Sequence, residues 1–163
     1  MIEKILRKSF IISSLLVFSI FLLDRLSKIY VIYLDKKFLG SELFSSKFLN
    51  IRLIWNEGIA FGLLSFDQEN LYNFLTILII LIIFFILLIT LKSSGLKKLA
   101  LMMILGGALG NVFDRIFYKA VPDFIDFHVG NFHWFIFNVS DIFITLGVIG
   151  MIFLELISRD EKL

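Results

Sequence analysis

Residues 71–91 read LYNFLTILIILIIFFILLITL, an apolar run that contains no charged side chain. A helix needs roughly 20 mostly apolar residues to cross a bilayer, so this run predicts a transmembrane helix. Three further stretches, at about 9–34, 99–117 and 135–157, are long and apolar enough for the same role, although each contains charged residues. The sequence therefore predicts an all-α membrane protein with four transmembrane helices.

The composition agrees with this prediction. The chain has 163 residues, of which 59% are hydrophobic and 18% are charged, whereas soluble domains are about 45–50% apolar and about 25% charged. The mean hydropathy is +0.94, which argues against a soluble enzyme. The absence of Cys excludes disulfides, thiolate metal sites and Cys nucleophiles. We expect residues 1–163 to form a single integral membrane domain.

The basic residues predict the orientation of the helices. Segments 1–8, 92–98 and 158–163 are rich in Lys and Arg, whereas the intervening loops 35–70 and 118–134 hold few for their length. The positive-inside rule then places both termini in the cytoplasm and the two longer loops outside. The first apolar run lacks a small-residue cleavage site, so we interpret it as a retained helix and not as a signal peptide.

The outer loops have a strand-like pattern. Residues 48–55 partly alternate apolar and polar side chains, and residues 55–58 are typical of a turn. A second strand region is predicted at 124–137, where Gly130 and Asn131 favour a hairpin turn. We therefore expect a small extracytoplasmic β-rich element, whose aromatic residues suit the membrane surface.

Three of the predicted helices carry an aspartate at the same depth. Asp24, Asp114 and Asp141 each lie roughly 22–24 Å from the cytoplasmic end of their span, in a membrane about 30 Å thick. A charge inside a span costs at least about 2.5 kcal/mol, and such residues usually face the bundle interior and have a function. The sequence thus predicts a layer of carboxylates near the outer leaflet.

Other polar or small residues share a helix face with these aspartates. Lys28 lies four residues after Asp24, an ion-pair spacing. Further such positions are Gly107 and Asn111 before Asp114, and Asn138 and Thr145 around Asp141. Gly106 and Gly110 form a pair that permits close approach of two helices in a membrane. The alternative interpretation is that these groups only hold the helices together.

Paired carboxylates are the chemistry that these residues favour. Two carboxylates that are close together in a low-dielectric site share a proton. One of them can then activate water while the other protonates a substrate, which allows hydrolysis without a metal. Spacing alone does not rank the candidates, which are Asp24, Asp114, Asp123, Asp126 and Asp141.

Three other hypotheses compete with hydrolysis. A metal site would use Asp126, His128 and His133, but their spacing matches no strong zinc pattern, and we expect no metal. A proton or ion transporter would use the buried charges as a relay, although they occupy one layer and not a path across the bilayer. An assembly factor without catalysis would tolerate loss of the Asp123 carboxylate.

Five motifs, in order, are similar to those of a known family. They are DRLSK at 24–28, NEGIAFG at 56–62, GALGNVFDR at 107–115, VPDFIDF at 121–127 and FNVSD at 137–141. Together they cover nearly the whole chain, and the chain resembles the lipoprotein signal peptidases of bacteria.

The resemblance implies an intramembrane aspartic endopeptidase of the bacterial cytoplasmic (inner) membrane. Such an enzyme cleaves the signal peptide from diacylglyceryl-modified prolipoproteins just before the lipidated Cys. The family's catalytic pair falls on Asp123 and Asp141. The positions implied to bind substrate or support this pair are Asp24, Lys28, Asn56, Gly58, Asn111, Asp114, Arg115 and Asn138.

Asp114 is expected to have a structural role. Arg115 follows it directly and should keep it ionised, which makes Asp114 a poor proton donor. We expect it to brace the loop that carries Asp123. No metal, cofactor or nucleic acid is expected; the expected partners are the prolipoprotein and membrane lipid, and we expect a monomer.

Overall fold

The computed structural model describes residues 2–58 and 69–160 of the chain. The described residues contain four helices, and each includes a segment long and apolar enough to cross a membrane. The prediction of four transmembrane helices is confirmed. The helices are α1 (Ile2–Lys37), α2 (Glu69–Lys92), α3 (Gly95–Tyr118) and α4 (Val139–Asp160).

Strands occupy the connections on one side of the helices. They are β1 (Phe44–Ser45), β2 (Leu49–Asn56), β3 (Val121–Val129) and β4 (Phe132–Phe137). These strands form one antiparallel sheet in the order β1-β2-β3-β4. Gly130 links β3 to β4 with a positive φ of 59°, a conformation that glycine adopts without steric cost. The predicted β-rich element and its hairpin are therefore confirmed.

The sheet extends further than the sequence pattern predicts. Trp55 and Asn56 were predicted to begin a turn, but they still pair with Pro122 and Val121 of β3. Asp123 was expected in a loop and instead lies within β3, opposite Ile54. The fourth helix begins at Val139, and not near residue 135, because residues 132–137 belong to β4.

Helix α3 is the centre of the bundle. It packs against α1, α4 and α2, whereas α2 makes no comparable contact with α1 or α4 in the described residues. Glycines permit the closest approaches: a Cβ at Gly106 would lie 2.8 Å from Ile20 Cβ, and one at Gly107 would lie 2.5 Å from the Ser140 carbonyl oxygen. The expected close approach at Gly106 and Gly110 is confirmed, with α1 beside both glycines.

Candidate active site

A buried ion cluster joins α1 to α3. The Lys28 ammonium lies 2.9 Å from Asp24 Oδ2 and 2.7 Å from Asp114 Oδ2, and all three side chains are fully buried. Arg25 contacts the same two carboxylates, at 2.9 Å from Asp24 and 2.5 Å from Asp114. Two carboxylates thus face two cations. This pairing offsets the high cost of removing four charges from water.

The cluster reaches the next layer through Asn111 and Ser140. Lys28 donates its third hydrogen bond to Asn111 Oδ1 at 2.9 Å, which uses all three ammonium donors. Because the Asn111 oxygen faces Lys28, its Nδ2 faces the other way and donates to Asp141 Oδ1 at 2.8 Å. Asp24 Oδ1 accepts from the Ser140 main-chain nitrogen at 3.0 Å, directly before Asp141.

Asn138 connects Asp123 to Asp141. Its Nδ2 donates to Asp123 Oδ1 at 2.6 Å, and its main-chain nitrogen donates to Asp141 Oδ2 at 3.2 Å. Its Oδ1 in turn accepts from the Asp141 main-chain nitrogen at 3.1 Å. This reciprocal pair is a capping box, the arrangement that starts many helices. The same residue therefore begins α4 and fixes both carboxylates.

Asn56 holds the other oxygen of Asp123. Its Nδ2 donates to Asp123 Oδ2 at 2.9 Å, while its Oδ1 accepts from the Gly58 main-chain nitrogen at 2.9 Å. Each of the three asparagine amides thus has its oxygen engaged by another donor, which leaves its NH₂ group facing a carboxylate. Asp123 and Asp141 each receive one hydrogen bond on each oxygen.

Burial changes the acidity of Asp123, which lies outside the transmembrane helices and is 3% exposed. Loss of solvation, followed by the charge of nearby Asp141, raises the pKa of Asp123 from 3.8 to about 6. The hydrogen bonds from Asn56 and Asn138 and the charge of Lys28 oppose this rise in the pKa. The two carboxylates are therefore close enough to influence each other, and Asp123 binds a proton more readily than an ordinary aspartate.

Arg115 does not pair with Asp114, contrary to expectation. Its Nη2 donates to the Gly58 carbonyl oxygen, and its guanidinium lies 5.6 Å from the centroid of the Tyr72 ring. The cations that face Asp114 come from α1 instead, because neighbouring residues on a helix point in different directions. Arg115 thus links α3 to the end of the β2 segment and to α2.

Asp114 contacts Lys28 and Arg25 between α1 and α3. Its influence on Asp123 is therefore indirect, through Lys28 and the asparagines. Its expected role as a brace for the segment that carries Asp123 stays a prediction.

Asp126 belongs to a separate cluster on the sheet. It is fully buried, and its carboxylate lies 2.9 Å from His133 Nδ1 on β4 and 3.1 Å from Arg52 Nη2 on β2. The His128 ring stacks on that of His133, with centroids 5.0 Å apart. Within residues 2–58 and 69–160, no group of three His, Cys, Asp or Glu residues is arranged to hold a metal ion.

The structure brings together most of the residues that the sequence singled out. Asp24, Lys28, Asn111, Asp114, Asn138 and Asp141 form one connected network, as their matching depths predict, and Asn56 and Asp123 join it from the sheet. Gly58 joins through Asn56 and Arg115. The predicted site residues did not include Arg25 or Ser140, although both lie within the five motifs. The sequence did contain a signal for Arg25, because a cation within a membrane span requires a charged partner and Asp24 is adjacent.

The fold and the site define a multi-pass membrane protein with a network of buried charges beside a pair of buried carboxylates. The sequence profile of the family described as signal peptidase (SPase) II matches residues 16–157. The chain belongs to the signal peptidase II family.

Individual relatives cover nearly the full length. A lipoprotein signal peptidase of Pelagibacter ubique is 45% identical over 160 residues, which are 98% of this chain and 96% of that protein. One from Anaplasma phagocytophilum is 37% identical over 157 residues, covering 96% and 98% respectively. A solved structure described as a bacterial membrane enzyme is similar with a TM-score of 0.78 at 29% identity, covering 93% of this chain and 91% of that chain.

Family membership decides between the hypotheses from the sequence. The chain is a membrane protease, so the transporter and the non-catalytic assembly factor are no longer needed to explain its buried charges.

Proposed function

We propose that the chain cleaves the signal peptide from diacylglyceryl-modified prolipoproteins, just before the lipidated Cys, with Asp123 and Asp141 as its catalytic pair. The relatives' activity supports the substrate class. The observation that carries the catalytic assignment is the double contact of Asn138, which holds both carboxylates at once.

The proposed chemistry needs one proton on the pair. One carboxylate takes a proton from a water molecule, whose oxygen attacks the scissile carbonyl carbon. The other carboxyl gives its proton to the carbonyl oxygen, and collapse of the tetrahedral intermediate transfers a proton to the leaving amine. The pair titrates as a unit, so the roles of base and acid belong to the pair and not to a named residue.

The two aspartates differ from Asp24 and Asp114 in a way that favours this role. Asp24 and Asp114 each face both Lys28 and Arg25 at 2.9 Å or less, so both carboxylates are engaged in ion pairs. Asp123 and Asp141 are held by neutral amides and a main-chain nitrogen. A carboxyl in such surroundings can alternate between its two protonation states.

The position of the pair suits a substrate that is anchored in the membrane. Asp141 lies in the first turn of α4, and Asp123 lies in the adjoining strand. The positive-inside rule places this level near the outer leaflet with both termini in the cytoplasm. The diacylglyceryl group would remain in the bilayer and keep the scissile bond at that level. We propose that the enzyme acts as a monomer, since one chain supplies the whole site.

The test is a gel-shift assay with purified protein in detergent and a diacylglyceryl-modified prolipoprotein. We expect the wild type to cleave it, and Asp123→Asn and Asp141→Asn to leave it intact while inserting normally into membranes. Glu155→Gln is the matched control, because it neutralises an exposed carboxylate of α4 far along the helix from Asp141. Wild-type turnover in either Asp variant would refute the pair.

A further inference from the structure

Three of the helices, α1, α2 and α3, form an apolar groove. This groove of about 810 Å³ lies between α1 and α2, with α3 as its floor. Its lining includes Phe18 of α1, Leu87 of α2 and Leu109 of α3. Neither Asp123 nor Asp141 lines it. The groove exists because α1 and α2 both pack on α3 without comparable contact with each other.

The groove has one positively charged end. Lys98, at the start of α3, and Thr90, near the end of α2, both line it. The Thr90 hydroxyl is already engaged, since it donates to the Ile86 carbonyl oxygen at 2.7 Å. Residues 92–98 include Lys92 and Lys97 as well and contain no acidic residue. An occupant therefore meets apolar walls along its length and the Lys98 cation at this end.

We propose that the groove binds the acyl chains of an anionic phospholipid, whose phosphate contacts Lys98. The charge at the groove end complements a phosphate and repels the alternative occupants. A second copy of this chain in the same orientation would bring its own basic turn to the same level. A signal peptide would bring its positively charged first segment there.

The lining of the groove agrees with this choice, because the side chains along it are mostly apolar. Flexible acyl chains fill an irregular groove of this kind without the need for a matching helix surface.

The groove also contacts the buried ion cluster. Phe21 and Phe113 line it, and the Arg25 guanidinium lies 4.8 Å from the centroid of the Phe113 ring. Arg25 in turn pairs with Asp24, which accepts from Ser140 beside Asp141. Bound lipid would thus pack against the rings that support the cluster.

The experiment measures quenching of a single Trp by brominated lipids in reconstituted vesicles. Trp55 and Trp134 are replaced by Phe, and one Trp is introduced by Phe18→Trp inside the groove or by Ile149→Trp on the exposed face of α4. Both positions lie roughly 12–14 Å from the end of their span, so they sample the same depth. Brominated phosphatidylglycerol is compared with brominated phosphatidylcholine that has the same chains.

We expect half-maximal quenching of the Phe18→Trp protein at a mole fraction of phosphatidylglycerol about fivefold lower than the mole fraction of phosphatidylcholine that is needed. A factor of this size is expected from the attraction between one lysine and an anionic headgroup. At position 149 the two lipids should be equivalent. Lys98→Gln should abolish the preference, whereas Lys97→Gln, on an exposed neighbour that does not line the groove, should retain it.

Three results would overturn the proposal. Equal preference at positions 18 and 149 would indicate ordinary boundary lipid. Equal loss in the Lys97 and Lys98 variants would indicate a diffuse surface charge and not a site. Failure of both lipids to quench at position 18 would indicate that a protein helix covers the groove.

Discussion

Replacement of Asn56 by Ala should shift the pH dependence of cleavage to higher pH. In the proposed mechanism the enzyme needs one proton on the carboxylate pair, so kcat/KM falls as the pH rises through the apparent pKa of the pair. Asp123, whose pKa is raised to about 6, contributes to that value. The Asn56 amide donates to Asp123 Oδ2 at 2.9 Å and stabilises the ionised form. Its removal therefore raises the pKa of Asp123 and moves the fall in activity upward.

The size of this shift follows from one hydrogen bond. A hydrogen bond to a charged group contributes about 1.5–3 kcal/mol when buried, and one pKa unit corresponds to about 1.36 kcal/mol. Asn56 is half-buried, and Asn138 still holds the other oxygen of Asp123. We therefore expect the lower end of the range, a shift of about one pH unit.

The assay is kcat/KM for a fluorogenic lipopeptide between about pH 5 and 9 in detergent. Asn50→Ala is the matched control, because Asn50 lies on the same strand, is buried, and bonds to Ser45 instead of Asp123. The variant also loses the bond from Asn56 to Gly58, which changes the amplitude of the profile but not its midpoint. An unshifted midpoint, or one that moves to lower pH, would refute the reasoning.

Two further predictions concern the buried charges and the helix contacts. Lys28→Met should destabilise the protein by about 3–5 kcal/mol, because it leaves two buried carboxylates with too little positive charge beside them. Adding Asp114→Asn should recover part of that loss. SDS titration measures both variants, and a double variant no more stable than the single one would contradict charge balance as the cause. Gly110→Ala should lower stability by about 1–3 kcal/mol through overpacking, because its Cβ would meet Asp24, whereas Gly150→Ala, with its nearest neighbour at 3.5 Å, should be neutral or slightly stabilising in thermal unfolding.

The helices could be predicted from the sequence because each depends on a local property. Apolar length alone predicts α2, and the matching depths of the aspartates predict that Asp24, Asp114 and Asp141 meet. The hairpin at Gly130 could also be predicted, because its turn depends on adjacent residues. The start of α4 could not be predicted, because the apolar residues of β4 continue directly into the helix.

The role of Asp123 depends on contacts that no local pattern contains. Its neighbours come from β2 and from the start of α4, and spacing alone left it unranked among the carboxylates. Arg115 shows the same limit: adjacency to Asp114 suggested an ion pair, but the direction of the side chain on the helix decided its partner. The resemblance to known peptidases supplied what the residue pattern did not.

The ion cluster also affects the timing of synthesis. Lys28 and Asp114 are 86 residues apart in the chain, and at about 5–20 residues per second the ribosome needs roughly 4–17 s to cover that distance. During this interval α1 carries Asp24, Arg25 and Lys28 with a net positive charge and without the acid that completes the cluster. The charges of the first helix are therefore fully paired only when α3 arrives.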